Sequence, residues 1–168
     1  MELIGSLFEK GSVNLIYGES GVGKTITTMK LLNKQDIVPI LIDYDNNRSP
    51  DENQCKYIHI DGYLMNKDNK LNIPIDKVIV IDTYSRYMDS GNTHDFLNKL
   101  SEHGNTVIVV AHNKNIATKR DIPDVDEQWS NHLGSKIWMD RTKVGANIHI
   151  LKSRGYVGDR IVKVAYSH

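Results

Sequence analysis

Residues 18–25 read Gly-Glu-Ser-Gly-Val-Gly-Lys-Thr, and this stretch lies between an apolar run at 13–17 and a segment at 25–32 whose apolar residues have helical spacing. The pattern Gly-x-x-x-x-Gly-Lys-Thr between a strand and a helix is typical of a phosphate-binding loop. Its glycines let successive backbone N–H groups point at phosphate oxygens, and the amino end of the helix adds partial positive charge. The sequence therefore predicts a nucleoside triphosphate site in an α/β fold.

The same pattern assigns roles to individual residues of the loop. Lys24 is expected to reach the β- and γ-phosphates, and the Thr25 hydroxyl is expected to coordinate Mg²⁺. The predicted cofactor-binding residues are Gly18, Glu19, Ser20, Gly21, Val22, Gly23, Lys24 and Thr25. ATP and Mg²⁺ are accordingly the predicted cofactors.

Apolar runs and helical segments alternate along the rest of the chain. Runs rich in β-branched residues lie at 13–17, 38–42, 78–82 and 107–111, a shorter one lies at 56–60, and helical spacing returns at 93–103. Late strands are expected at 146–151 and 160–165. Continuous apolar strands separated by helices indicate a parallel sheet that is covered on both faces. We therefore predict a three-layer α/β P-loop NTPase with a mostly parallel sheet, as one domain over residues 1–168.

Acidic residues follow two of the predicted strands. Ligands collect at the carboxyl ends of the strands in a parallel sheet, so Asp82, at the end of the run at 78–82, is predicted to serve Mg²⁺. Hydrolysis of ATP also needs a carboxylate that orients the attacking water. Asp45 is the predicted residue, whereas Asp43 could hold the turn and Glu19 is interpreted as a solvent-facing residue of the loop.

Two further candidates follow later strands. His112, after the run at 107–111, is predicted to contact the γ-phosphate and report its presence to the following loop. The alternative is a histidine that is hydrogen-bonded at a strand end. Lys152 and Arg154 precede Gly155 and project the same way. They are either a basic pair that reaches a γ-phosphate bound on a neighbouring subunit, with Arg154 as an arginine finger, or two solvated residues.

Charge and composition narrow the function classes. Residues 1–84 carry 9 basic and 12 acidic side chains, and residues 85–168 carry 12 and 9. The basic excess of the second half is either a solvated surface or a face that meets an anion such as a nucleic-acid backbone.

The single cysteine, Cys55, excludes an internal disulfide. No apolar run approaches the ~20 residues of a membrane span. Without a recognisable signal peptide, we expect a cytoplasmic protein that has no membrane partner.

The residues around these motifs resemble RecA-like ATPase cores, including the hexameric replicative helicases of the DnaB and plasmid RepA type. Residues 11–18 resemble the strand that leads into Walker A, residues 42–45 resemble the strand that ends in a catalytic glutamate, and residues 78–82 match Walker B. His112 matches the sensor position, and residues 152–155 resemble the Lys-x-Arg pair that acts across a subunit interface. The short chain also resembles phage recombination ATPases, and a phage or plasmid origin fits these resemblances.

The resemblance implies partners as well as a reaction. It implies a homo-oligomer, either a ring or a filament, and binding of single-stranded nucleic acid, expected to be DNA, through the loop at 113–133. That loop carries Lys114, Lys119, Arg120 and four acidic residues, and its Trp129 could stack on a base. We therefore predict a Mg²⁺-dependent ATPase that couples hydrolysis to DNA binding or translocation in replication or recombination. The alternatives are a small-molecule P-loop kinase, for which no arginine-rich lid is recognisable, and a nucleotide-dependent switch with little turnover.

Overall fold

A computed structural model describes eight segments of the protein, which include the phosphate-binding loop and most of the predicted strands. These segments are residues 3–5, 7–44, 54–62, 74–84, 93–113, 123–125, 133–153 and 160–165. Two predicted site residues, Asp45 and Arg154, lie outside them, as do the predicted nucleic-acid contacts Lys114, Lys119, Arg120 and Trp129.

Within the described segments, the helices lie in the first two thirds of the chain and strands follow them. The elements are β1 (Leu3–Ile4), β2 (Phe8–Glu9), β3 (Val13–Gly18), α1 (Lys24–Asn33), β4 (Ile40–Asp43), β5 (Ile58–Asp61), β6 (Val78–Tyr84), α2 (Thr93–Glu102), β7 (Thr106–His112), β8 (Ser135–Arg141), β9 (Gly145–Ser153) and β10 (Arg160–Ala165). None of the helices in the described segments is long and apolar enough to cross a bilayer.

Eight of these strands form one sheet in the order β10-β9-β8-β3-β7-β6-β4-β5. Neighbouring strands are parallel from β8 to β5, while β9 and β10 add antiparallel pairings at one side. The prediction of a mostly parallel α/β sheet is therefore confirmed. Strand β7 lies between β3 and β6, so the strand of His112 separates the strand of the phosphate-binding loop from the strand of Asp82.

The two faces of the sheet bury two apolar clusters, because successive residues of a strand point to opposite faces. On one face, Met29 and Leu32 of α1 pack with Ile16, Val80 and Ile108. On the other face, α2 contributes Leu97 and Leu100, which pack with Leu15, Ile79 and Val109. Full burial of each such side chain stabilises the fold by about 1.5–3 kcal/mol. Covered faces explain why the strands are apolar at nearly every position.

A short hairpin, β1–β2, precedes the sheet and was not expected from the sequence. The buried amide of Asn14 attaches it to β3: its Oδ1 accepts a hydrogen bond from the Glu9 backbone N–H at 2.9 Å, and its Nδ2 donates one to the Glu9 carbonyl at 3.1 Å. Phe8 is fully buried in the cluster of the α1 face. Two-residue strands are too short to show a periodic pattern, and the hairpin therefore leaves little trace in the sequence.

Strand β6 has a bulge where it reaches the carboxyl edge of the sheet. Ile81 pairs with Val109 and Tyr84 pairs with Ala111 of β7. Two residues of β6, Asp82 and Thr83, therefore stand opposite one residue of β7. The peptide bond that joins them is cis. A bulge of this kind changes the direction in which a side chain projects, and bulges are common beside active sites.

Candidate nucleotide site

A cleft of about 180 Å³ opens at the carboxyl ends of β3, β7 and β6. It is lined by Ser20, Gly21, Gly23, Lys24, Thr25, Ile26, Asp82, Thr83, Val110 and His112. Parallel strands end at a common edge, and ligands of open α/β sheets bind at that edge. The structure thus brings the predicted phosphate-binding loop together with Asp82 and His112.

The backbone of the loop explains two of its glycines. Gly23 has φ 92° and directly precedes α1, a conformation that costs little only for glycine. A Cβ on Gly18 would lie 2.4 Å from the carbonyl oxygen of Met139 on β8, so this position admits no side chain. The loop is therefore held against the neighbouring strand, and its carboxyl end leads into the positive end of the α1 dipole.

The ammonium of Lys24 lies inside the loop. Its Nζ donates hydrogen bonds to the carbonyl oxygens of Gly18 at 2.9 Å and Glu19 at 2.8 Å. Burial lowers the pKa of Lys24 from 10.5 to about 8, although the carboxylates of Asp82 and Glu19 act in the opposite direction. An ammonium that is desolvated and donates hydrogen bonds to neutral carbonyls suits an anionic ligand, because phosphate oxygens would supply further negative charge. Glu19 itself is exposed.

Thr25 and Asp82 meet across the cleft. The Thr25 hydroxyl donates a hydrogen bond to Oδ2 of Asp82 at 2.8 Å. The hydroxyl keeps its lone pairs when it donates its proton, and the carboxylate retains further acceptor sites. Hydroxyl and carboxylate oxygens are hard ligands that suit Mg²⁺. The donor set therefore fits the predicted cation, which Thr25 and Asp82 would hold beside the phosphates.

His112 marks the point where the cleft meets the next loop. The side chain is exposed at the end of β7 and lines the cleft. The backbone carbonyl oxygen of His112 accepts a hydrogen bond from the Asp124 N–H at 2.8 Å, and the Asn113 N–H donates one to the Gly18 carbonyl at 3.3 Å. Asn113 is thus hydrogen-bonded to the phosphate-binding loop, and Asp124 is hydrogen-bonded to the end of β7 at His112.

Asp43 occupies a different environment from Asp82, although the two residues are Cα partners on neighbouring strands. Its side chain is buried, and its Oδ2 lies 3.0 Å from Nε2 of His59 on β5. The sequence indicated no role for His59, because no local pattern connects residues 43 and 59. Asp45, the predicted carboxylate for the attacking water, lies outside the described residues, so that assignment stays a prediction.

Comparison with protein-family models and with curated proteins finds no match for this sequence. Among solved structures, the chain is similar to the RadB recombinase, with a TM-score of 0.69 over 95% of this chain and 89% of that one. The fold is RecA-like. Sequence identity to the RadB recombinase is only 13%, so the likeness concerns the fold and leaves the activity of this chain to be argued from its own residues.

Lys152 lies away from the cleft of its own RecA-like core. Strand β9 runs antiparallel to β8, and Lys152 pairs with Lys136 near the start of β8. The phosphate-binding loop lies beside the other end of β8, where Gly18 pairs with Met139. The exposed Lys152 is therefore at the opposite edge of the sheet from the cleft. Its predicted partner Arg154 lies outside the described residues.

Two contacts of the RecA-like cleft were not anticipated from the sequence. Arg141, at the end of β8, donates a hydrogen bond to the carbonyl oxygen of Gly21 in the loop. Thr83 lines the cleft, and its hydroxyl donates a hydrogen bond to Oδ1 of Asp82. Strand β8 itself was not predicted, because it is not a continuous apolar run: the half-buried Lys136, Trp138 and Asp140 alternate with buried residues. A search for short alternating segments could have found β8, and through it Arg141.

Proposed function

We propose that this chain is a Mg²⁺-dependent ATPase of the RecA-like class, which works as an oligomer and couples ATP hydrolysis to binding of single-stranded DNA. The observation that carries the proposal is the cleft, where Lys24, the Thr25–Asp82 pair and His112 meet at one edge of the sheet. Three properties of the described residues support it: a site for phosphates, a connection from that site to a loop, and a basic residue on the opposite edge.

Binding of the triphosphate is assigned to the loop and to Lys24. The N–H groups of the loop and the amino end of α1 attract phosphate oxygens. Lys24 exchanges its hydrogen bonds to Gly18 and Glu19 for contacts with the β- and γ-phosphates. The phosphate-binding pattern recognises phosphates and not the base, so the phosphates are proposed to contribute most of the affinity.

Hydrolysis requires a water molecule aligned with the γ-phosphorus. Asp45 is proposed to orient this water and accept its proton as the bond to the leaving ADP oxygen breaks. Thr25 and Asp82 would hold Mg²⁺, which when bound neutralises charge that develops on the phosphoryl oxygens. His112 is proposed to contact the γ-phosphate. When hydrolysis removes the γ-phosphate, this contact would be lost.

Coupling to DNA is assigned to the loop that follows His112. The hydrogen bonds from Asn113 to Gly18 and from Asp124 to His112 join the cleft to this loop. A change at the γ-phosphate would therefore move the segment that carries Lys114, Lys119 and Arg120. These cations are proposed to contact the DNA backbone, and Trp129 is proposed to stack on a base.

Oligomerisation is proposed because of the position of Lys152. Because this residue lies at the edge opposite its own cleft, the Lys152–Arg154 pair would serve a nucleotide bound on an adjacent copy. Arg154 would then stabilise transition-state charge as an arginine finger. The name of the RadB recombinase favours recombination over a helicase role for such an assembly.

Hydrolysis assays with and without single-stranded DNA test the proposal. Wild-type protein is compared with Lys24→Ala, Arg154→Ala and the matched control Lys34→Ala, which removes the exposed lysine that directly follows α1. We expect DNA-stimulated turnover that is lost in the first two variants and retained in the control. Turnover that depends on a phosphoryl acceptor would indicate a kinase, and nucleotide binding without turnover would indicate a switch.

A mixing experiment tests the shared site separately. In a mixture of Lys24→Ala and Arg154→Ala subunits, some interfaces combine an intact Lys24 from one copy with an intact Arg154 from the next. We expect the mixture to recover part of the activity that each variant lacks alone. Failure to recover any activity, with both variants shown to assemble with wild-type protein, would contradict a site that is shared between subunits.

A further inference from the structure

The bulge in β6 brings Thr83 to the same side of the sheet as Asp82. In a regular strand, successive residues point to opposite faces, and so do residues three positions apart. Here Ile81 and Tyr84 are three positions apart, yet both are buried in the cluster of the α2 face. The extra residue at the bulge makes this possible. As a result Asp82 and Thr83, although adjacent in sequence, both line the cleft.

Two threonine hydroxyls hold the Asp82 carboxylate, one at each oxygen. The Thr83 hydroxyl donates to Oδ1, and the Thr25 hydroxyl donates to Oδ2. Each hydroxyl has one proton to donate and keeps its lone pairs. Thr25 belongs to the phosphate-binding pattern, whereas Thr83 belongs to no pattern in the sequence. With both oxygens held, the carboxylate is fixed in rotation about its Cβ–Cγ bond.

We propose that Thr83 is a positioning residue for the divalent cation. It orients Asp82 so that Oδ2 and the Thr25 oxygen face the cleft together and bind the cation without rearrangement. This inference rests on the proposed function, since it assumes that the cleft takes a nucleotide with Mg²⁺. Residues that orient a metal-binding group by hydrogen bonds change metal affinity by about 10-fold to 100-fold when they are removed.

Thr83→Val is the most direct test, because valine keeps the shape of threonine and removes only the hydroxyl. The probe is a fluorescent ATP analogue, whose equilibrium binding is measured first in EDTA and then during titration with Mg²⁺. We expect Thr83→Val to raise the half-saturating Mg²⁺ concentration about 10-fold to 100-fold. Its affinity for the analogue in EDTA should match wild type, and Thr83→Ser should restore the Mg²⁺ response.

A matched control separates this effect from general loss of a hydroxyl. Thr106 lies at the opposite end of β7, where its hydroxyl accepts a hydrogen bond from the Gly11 N–H at 2.9 Å. Thr106→Val should lower stability without changing the Mg²⁺ response. If Thr83→Val does not fold, Thr83→Ala and Thr83→Ser supply the same comparison, since only serine retains the hydroxyl.

Three results would overturn the inference. An unchanged Mg²⁺ response in folded Thr83→Val would show that the hydroxyl does not position the cation, while the proposed function would stand. If Thr83→Val weakened binding of the ATP analogue equally in EDTA and in Mg²⁺, Thr83 would stabilise the whole cleft and would not act on the cation in particular. Absence of Mg²⁺-dependent nucleotide binding by wild-type protein would remove the proposed function, and the role of Thr83 with it.

Discussion

Asp82 and Asp43 end neighbouring strands of the sheet as Cα partners, yet their surroundings differ. Asp82 lines the cleft and accepts hydrogen bonds from two threonine hydroxyls. Asp43 is buried and pairs with the imidazole of His59. Both residues follow an apolar run, so the local pattern around them is the same. The role of such an aspartate therefore depends on which side chains distant parts of the chain bring to it.

The largest effect is expected from Asp82→Asn. This change removes the negative charge that is proposed to bind the cation and keeps the size of the side chain. Loss of a cation site removes several kcal/mol of transition-state stabilisation, so Mg²⁺-dependent turnover should fall about 1000-fold. Steady-state ATPase assays over a range of Mg²⁺ concentrations measure it. Turnover within about tenfold of wild type would place the cation elsewhere.

Nucleotide binding should change the protonation of Lys24, which lies near Asp82. With its pKa lowered by burial to about 8, Lys24 is mostly neutral above that pH. Nucleotide binding should restore its charge, so proton uptake should grow from about 0.1 per site at pH 7 to about 0.8 at pH 8.5. Calorimetry in buffers of different ionisation enthalpy measures this uptake. Lys24→Met should abolish the pH dependence.

Asp82 and Asp43 should affect this titration differently. Asp82 raises the pKa of Lys24 against the larger effect of burial, so Asp82→Asn should move the proton uptake to lower pH, and Asp43→Asn should not. The unfolded chain keeps the Lys24 proton up to about pH 10.5. The unfolded state therefore binds more protons between pH 8 and 10.5, and Lys24 makes the free energy of unfolding rise with pH in that window. An uptake unaffected by Asp82→Asn would contradict this coupling.

Asp43→Asn should act on stability instead of Mg²⁺ binding. The buried carboxylate accepts a hydrogen bond from His59 at 3.0 Å, and loss of its charge should lower the free energy of unfolding by about 1–2 kcal/mol. Denaturant unfolding measures the change, with Asp61→Asn as a matched control. Asp61 is the Cα partner of Asp43 on β5 but is only half-buried. A Mg²⁺ response altered as strongly as in Asp82→Asn would make the two aspartates equivalent.

What the sequence could predict divides along the same line. The parallel sheet and the phosphate-binding loop follow from local patterns, namely continuous apolar runs and glycines at fixed spacing. The contact of Thr83 with Asp82 depends on a bulge, and the pairing of Asp43 with His59 depends on how β4 and β5 align. Both are results of strand register, and register is a property of two chain segments that no single segment contains.

The smallest expected effect concerns His59. Its side chain is 39% exposed, so water screens its attraction to the Asp43 carboxylate. His59→Ala should therefore cost less than about 1 kcal/mol of unfolding free energy, clearly less than Asp43→Asn, because solvent can reach part of the carboxylate once the ring is gone. His59→Gln, which keeps an N–H donor, should cost still less. Denaturant unfolding of the three variants ranks them, and a larger loss in His59→Ala than in Asp43→Asn would mean that the histidine, through its packing on the edge of the sheet, determines the environment of Asp43.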